Sequence, residues 1–266
     1  IPAPFDLASY GGNSNAADID RLRNHVLNTF NYDIGRFDNA LSSLEGQKFT
    51  TRLDYNLNQQ HKFTGRYSLV TGDNLEARTS DFNDLGFSNG AELFKTTTNS
   101  LSLEWNYQGD KTSNSLLVGY TSVRDDRDPA GDPFPSVQIG DGFNVFRSDG
   151  ITFGAEPFST ANLLNTDILT ITNNFQVYSG KHTLTFGTHN EFASIKNLFF
   201  AFNFGQYRYD SIDDFINNTN LRDFDRGYSL LAPGVGDTSS GAAEFNTMQL
   251  GFYVSAMDTN TPGRNR

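Results

Sequence analysis

The sequence predicts an all-β chain that forms part of an antiparallel transmembrane β-barrel, and three observations carry that expectation. Apolar and polar residues alternate with period two over stretches of about 10–12 residues. Tight turns alternate strictly with long connections. Charge gathers in those connections: 72–94, 124–167 and 196–244 carry −4, −5 and −3, so the rest of a chain of net charge −11 sums to +1. A charge facing lipid at the bilayer midplane costs roughly 2–4 kcal/mol for Arg or Lys, and moving charge into loops avoids that cost.

The first element is the exception. From Ser14 to Asn31 the apolar residues Ile19, Leu22, Val26 and Phe30 recur at helical spacing, with Ser14 or Asn15 as N-cap. This short helix, over 15–30, is placed in a loop occupying 1–46. The barrel portion is expected over 47–254, with about seven strands. Phe49, Thr51, Leu53, Tyr55 and Leu57 share one parity of the first strand, while Lys48, Thr50, Arg52, Asp54 and Asn56 share the other. A polar turn at Asn58–Gln60 leads to Phe63, Gly65, Tyr67 and Leu69, which alternate with Lys62, Thr64, Arg66 and Ser68. That is a hairpin.

Leu101, Leu103, Trp105 and Tyr107 repeat the pattern before a turn at Gly109–Lys111. The following strand, from about Thr112 to Val123, has ambiguous faces because Leu116, Leu117 and Val118 are consecutive. A third hairpin turns at Ser179–Gly180, and a seventh strand runs from Phe245 to Val254. Residues 255–266 read as an uncertain tail or a discontinuous segment. Soluble strands average about 5–6 residues, whereas bilayer-crossing strands need roughly 9–11, so these lengths favour a membrane.

Composition narrows the function. Mean hydropathy is −0.50, and no run approaches the roughly 20 apolar residues of a membrane-spanning helix. The acidic balance argues against a nucleic-acid partner. The absence of cysteine removes disulfides and Cys-based zinc sites. Ile1 is followed by Pro2 and polar residues, so no signal peptide is visible; either it was removed or this is an internal piece.

The stretch from Phe37 to Tyr253 resembles TonB-dependent outer-membrane receptors of Bacteroidetes, most closely the Oar-like branch. The residues carrying the resemblance are Phe37-Asp38-Asn39, Arg52-Leu53-Asp54-Tyr55-Asn56-Leu57 and His61-Lys62-Phe63-Thr64. Further along come the run from Gly119 to Pro129, the run from Gly180 to His189, and Phe204-Gly205-Gln206-Tyr207 followed by Ser211 and Asp214-Phe215. The resemblance implies about a third of a 22-stranded barrel with a plug inside, set in the outer membrane with long extracellular loops. It further implies energy-coupled uptake of a scarce nutrient such as an oligopeptide, glycan or chelated metal. Implied partners are outer-membrane lipid and lipopolysaccharide, TonB acting through a plug region, and a surface lid lipoprotein. The alternatives are a passive porin or secretion-associated barrel, and a soluble β-rich adhesin or lectin.

Candidate sites follow from residue type. No catalytic constellation is present: His182 and His189 have opposite strand parity, and no nucleophile elbow occurs, so an enzyme is not expected. No cofactor is expected. The cluster Phe199, Phe200, Phe202 and Phe204 with Tyr207 and Tyr209 reads first as an aromatic girdle at the membrane interface. Its second reading is a platform contacting substrate or partner. Lys48, Arg52, Asp54, Arg66 and Glu104 are expected on the polar, lumen-facing side, where they satisfy one another or contact a plug or solute. Asp125, Asp126, Asp128 and Asp132 form a weak calcium candidate that lacks EF-hand spacing. The blander reading pairs Arg124 and Arg127 with these neighbours.

Overall fold

The computed structural model describes residues 4–39, 41–144, 149–227 and 243–258. Its strands, in chain order, are β1 (Ser43–Asn56), β2 (His61–Glu76), β3 (Asp84–Gly86), β4 (Glu92–Gln108), β5 (Thr112–Pro129) and β6 (Ser136–Ile139). They continue with β7 (Gly150–Phe153), β8 (Leu163–Ser179), β9 (His182–Leu198), β10 (Gln206–Tyr209), β11 (Asp223–Asp225) and β12 (Ala243–Asp258). The helices are α1 (Ala16–Phe30) and α2 (Ile212–Asn217).

Seven long strands form one antiparallel meander, β1-β2-β4-β5-β8-β9-β12. Hairpin turns fix its register. Asn58 Oδ1 accepts from the N–H groups of Gln60 and His61 at 2.9 Å each. Gly180 takes φ +60 between β8 and β9, a conformation glycine adopts without cost. One register row therefore crosses the whole sheet: Leu53, Gly65, Leu103, Val118, Ile171, Asn190, Leu250. The next two rows on that face carry Tyr55, Phe63, Trp105, Leu116 and Phe252, then Tyr67, Leu101, Tyr120, Leu169, Phe192 and Met248. The ambiguity in β5 is resolved here, since Leu116 and Val118 join the apolar face while Leu117 lies opposite Glu104 and Thr172.

Among the described residues no other element packs against that apolar face. Phe252 is 78% exposed and Leu53 74%. The dry core lies elsewhere, in the long connections. Five short strands from the three long connections make a second sheet, β11-β10-β6-β7-β3, parallel at β10/β6 and β3/β7. Leu85, Phe87, Val137, Ile139, Ile151 and Phe153 are almost wholly buried there.

Helix α1 packs Ile19, Leu22 and Val26 into the same core. Asn15 caps it with a capping box to Asp18, and Asn31 closes it in the left-handed region. Phe30, also on the predicted stripe, is half exposed instead. Buried Asp141 ties the segment before α1 to the end of β6, accepting from Tyr10 Oη (2.8 Å), Ser14 Oγ (2.8 Å) and Ser14 N–H (3.1 Å). Glycines at 150 and 154 bracket β7 at positive φ, where a Cβ would collide with the carbonyls of Ile139 and Pro135. Residues 4–39 of the expected 1–46 loop are thus part of a folded α/β cap, while Ser43 onward already belongs to β1.

The long strands run from 14 residues (β1) to 18 (β5), longer than the expected 10–12, and β5 ends at Pro129 rather than near Val123. Strand β12 continues through Asp258, so Ser255–Asp258 belong to the sheet rather than to a tail; 259–266 lie outside the described residues.

Two outcomes follow for the cap. Phe153→Ala removes a fully buried ring and is expected to cost the cap about 3–5 kcal/mol. Amide-exchange protection should drop in β6 and β7 and stay unchanged in β4 and β5. Burial raises the Asp84 carboxyl to about 6, against the lowering effects of the Thr152 hydroxyl (2.8 Å) and of Arg78. The folded cap then holds a proton between about pH 4 and 6 that the unfolded chain releases. Cap stability should fall as pH rises through that window, by on the order of 3 kcal/mol, and level off above it. Asp84→Asn should flatten that part of the exchange profile.

Candidate functional site

Two surfaces carry side chains able to hold a solute. The first is a groove in the cap, with a cavity of about 510 Å³. Its geometry follows from strand alternation. Tyr207 and Tyr209 share one face of β10, and register places Tyr207 beside Val137 of β6. The last turns of α1 bring His25, Thr29 and Phe30 alongside, and α2 brings Phe215 and Ile216.

The rings brace one another. His25 meets Phe30 edge-on at 6.1 Å and Phe215 at 5.8 Å, and Phe134 lies 5.8 Å from Phe30 and stacks on Tyr32 at 4.1 Å. Tyr209 is buried, which raises its phenol pKa, and its hydroxyl donates to Asn218 Oδ1 at 3.3 Å. The groove is therefore lined by ring faces with a few polar edges. That chemistry suits stacking and orienting a ligand.

The predicted aromatic cluster does not stay together. Tyr207 and Tyr209 line the groove, Phe200 is buried, Phe202 packs edge-on against Phe158 at 5.0 Å, and Phe199 stands 66% exposed just past β9. Phe204 lies in the turn before β10. None of these six sits on a long strand, so they do not form a girdle on the barrel wall. Rings of that kind come instead from Tyr55, Phe63 and Trp105 near the short turns, and from Tyr67, Tyr120 and Phe192 farther up. Above the upper group charge returns to the apolar face. Arg124 grips Asp167 with two 2.8 Å bonds, and Tyr120 Oη donates to the same carboxylate at 2.7 Å.

The second surface is the polar face of the long sheet. Strand parity brings Lys48, Arg52, Asp54, Arg66 and Glu104 onto it together. Asp54 accepts from Arg52 Nε (2.6 Å) and Nη2 (2.8 Å), from Thr64 Oγ1 (2.8 Å), and lies 3.4 Å from Lys62 Nζ. Glu104 accepts from Asn106 at 2.7 Å, and His189 Nδ1 meets Thr172 Oγ1 at 2.8 Å. Near the short turns this face forms an amide-rich hollow, also about 510 Å³, lined by Asn56, Gln60, Asn106, Asn174 and Gln176 among others.

The acidic run does not converge. Alternation in β5 sends Asp125 to the polar face, where Thr96 Oγ1 donates to it, and Asp126 and Asp128 to the other. Among the described residues no three His, Asp or Glu side chains come together as a metal site. Arg127 reaches Glu92 and covers the Phe94 ring at 4.2 Å. Sequence reasoning missed Phe30, Phe134 and Phe215 as groove walls, because their meeting depends on how α1, β6 and α2 pack.

A family model described as "Outer membrane beta barrel domain" matches residues 14–257. Among solved structures, the outer membrane transporter YddB from Escherichia coli superposes with a TM-score of 0.53 at 7% identity, covering 81% of this chain and 25% of that one. The chain thus spans about a quarter of the length of that transporter. No curated protein matches.

An apolar face turned to lipid makes a sharp demand. Leu103→Arg, near mid-strand on that face, is expected to lower folding stability in lipid vesicles by about 2–4 kcal/mol, with Ser100→Arg on the polar face, between the neutral partners Ser68 and Thr121, nearly neutral. Equal effects in denaturant titrations of the two variants would reverse the assignment of faces.

Proposed function

Because the chain belongs to the outer membrane beta barrel domain family, we propose that it supplies part of the wall and the folded outer cap of a larger energy-coupled transporter. One observation carries the reading. In a seven-stranded antiparallel meander the first and last strands run in the same direction, so β1 and β12 cannot pair with each other antiparallel. Bacterial single-chain barrels of this kind hold an even number of antiparallel strands. The sheet therefore needs an odd number of further strands, as a larger barrel provides.

The cap then stands over the lumen on the extracellular side, with the short turns in the periplasm. A solute held in the ring-lined groove passes to the polar wall below. The resemblance to Oar-like TonB-dependent receptors supplies the energy step: TonB acts on a plug outside this chain, and the solute moves because an opened state binds it differently from a closed one. Nothing in this scheme makes or breaks a covalent bond. The soluble adhesin alternative has no partner for a face as exposed as Leu53 and Phe252.

Cells carrying the full-length protein are expected to deplete at least one component of a defined peptide and glycan mixture, and an uncoupler should stop the depletion. Depletion indifferent to the uncoupler would make the barrel a passive pore. No depletion relative to a deletion strain would remove the transport reading.

A further inference from the structure

The polar face of β1 and β2 carries a cluster of cations. Lys48, Arg52, Lys62 and Arg66 stand there with one carboxylate among them, Asp54, the other carboxylate of this face, Glu76, lying at the far end of β2 beside Asn74, in a chain of net charge −11. Arg52 and Arg66 are direct partners in register. Like charges directly opposite on one face of a strand pair are destabilising.

Asp54 relieves only part of this. Its two oxygens serve the Arg52 fork, Lys62 and Thr64. Among the described residues no carboxylate lies within 4.0 Å of Arg66 or of Lys48. Glu104, two positions along β4 from the Arg66 partner Ser102, is engaged by Asn106. Rows on one face are about 6.6 Å apart, so Lys62, Asp54 and the Arg52–Arg66 pair occupy consecutive steps up the wall.

We propose that Arg66, flanked by Arg52 and Lys62, is a binding site on the barrel wall for a small polycarboxylate solute. A guanidinium presents a planar fork that matches a carboxylate with two parallel N–H···O bonds. Among the described residues the Arg66 fork has no carboxylate partner, and Arg52 keeps one nitrogen beyond the two that grip Asp54. The spacing of consecutive steps suits a ligand whose carboxylates are several ångströms apart. Lys48, farther up β1, offers the next cation on the way in. This inference rests on the polar face lining a wetted interior, but not on energy coupling.

The test titrates citrate calorimetrically into the full-length protein in detergent at low ionic strength. Saturable binding is expected, weakened at least tenfold by Arg66→Gln and by 0.3 M NaCl. Arg66→Lys should keep saturable binding, which separates loss of charge from loss of fold, and Lys95→Gln on the opposite face should change nothing. If a carboxylate from elsewhere in the full chain already occupies Arg66, citrate will not bind, and Arg66→Gln will lower the melting temperature instead. That outcome overturns the solute site. So does citrate binding that Arg66→Gln leaves intact. Neither touches the transport reading, which the uncoupler experiment decides separately.

Discussion

A strand in hydrocarbon has no water to satisfy its amides, so every backbone polar group must pair with a neighbouring strand. The long meander obeys this on both edges of β2, β4, β5, β8 and β9 and on one edge each of β1 and β12, and the register that results decides everything else. Because side chains alternate, a slip of one residue in any pairing would turn a lipid-facing row into a lumen-facing one. Seven strands hold the row from Leu53 to Leu250 without such a slip. The same register sets Arg52 against Arg66 and places Asp54 where it serves two cations at once.

The two sheets obey different solvents. In the meander the large apolar side chains point outward, and lipid replaces the core that a soluble protein would build. In the cap, water surrounds the fold, so Phe87, Phe153, Ile139 and Ile151 turn inward, and strands β6 and β7 are buried along their full length. A chain with few aliphatic residues can serve both because Phe and Tyr supply large apolar area per residue. The charges excluded from the lipid face reappear in the cap as short local pairs, such as Arg208 with Asp223 and Asp225 at 2.6 Å each.

How much of this was legible depends on sequence distance. Alternation from Phe49 to Leu57 and from Phe63 to Leu69 defines β1 and β2 because a hairpin needs only neighbouring residues. The stripe Ile19, Leu22, Val26 with Asn15 as cap identifies α1 for the same reason. Leu116-Leu117-Val118 was ambiguous alone and became clear only from partners on β4 and β8. The cap was not legible. Its strands are three or four residues long, and its parallel pairs join Leu85 to Ile151 and Tyr207 to Val137 across about 65–70 positions. No periodicity signals such a pairing, so the groove built on it was invisible as well. The lumen-facing charges, by contrast, followed from parity alone.

The split also explains where recognition can vary. On the barrel wall, moving Arg66 to a neighbouring position would send it toward lipid, so the wall allows only substitutions that keep parity. The cap has no such limit. Its groove is assembled from α1, β6, β10 and α2, which belong to different connections and meet only through packing. A change at Phe30 or Ile216 reshapes the groove without disturbing any hydrogen bond of the meander. Chemical selectivity is therefore expected to reside in rings and edges above the membrane. The wall supplies a less selective attraction, set by charge and fixed by the ladder that holds the barrel together.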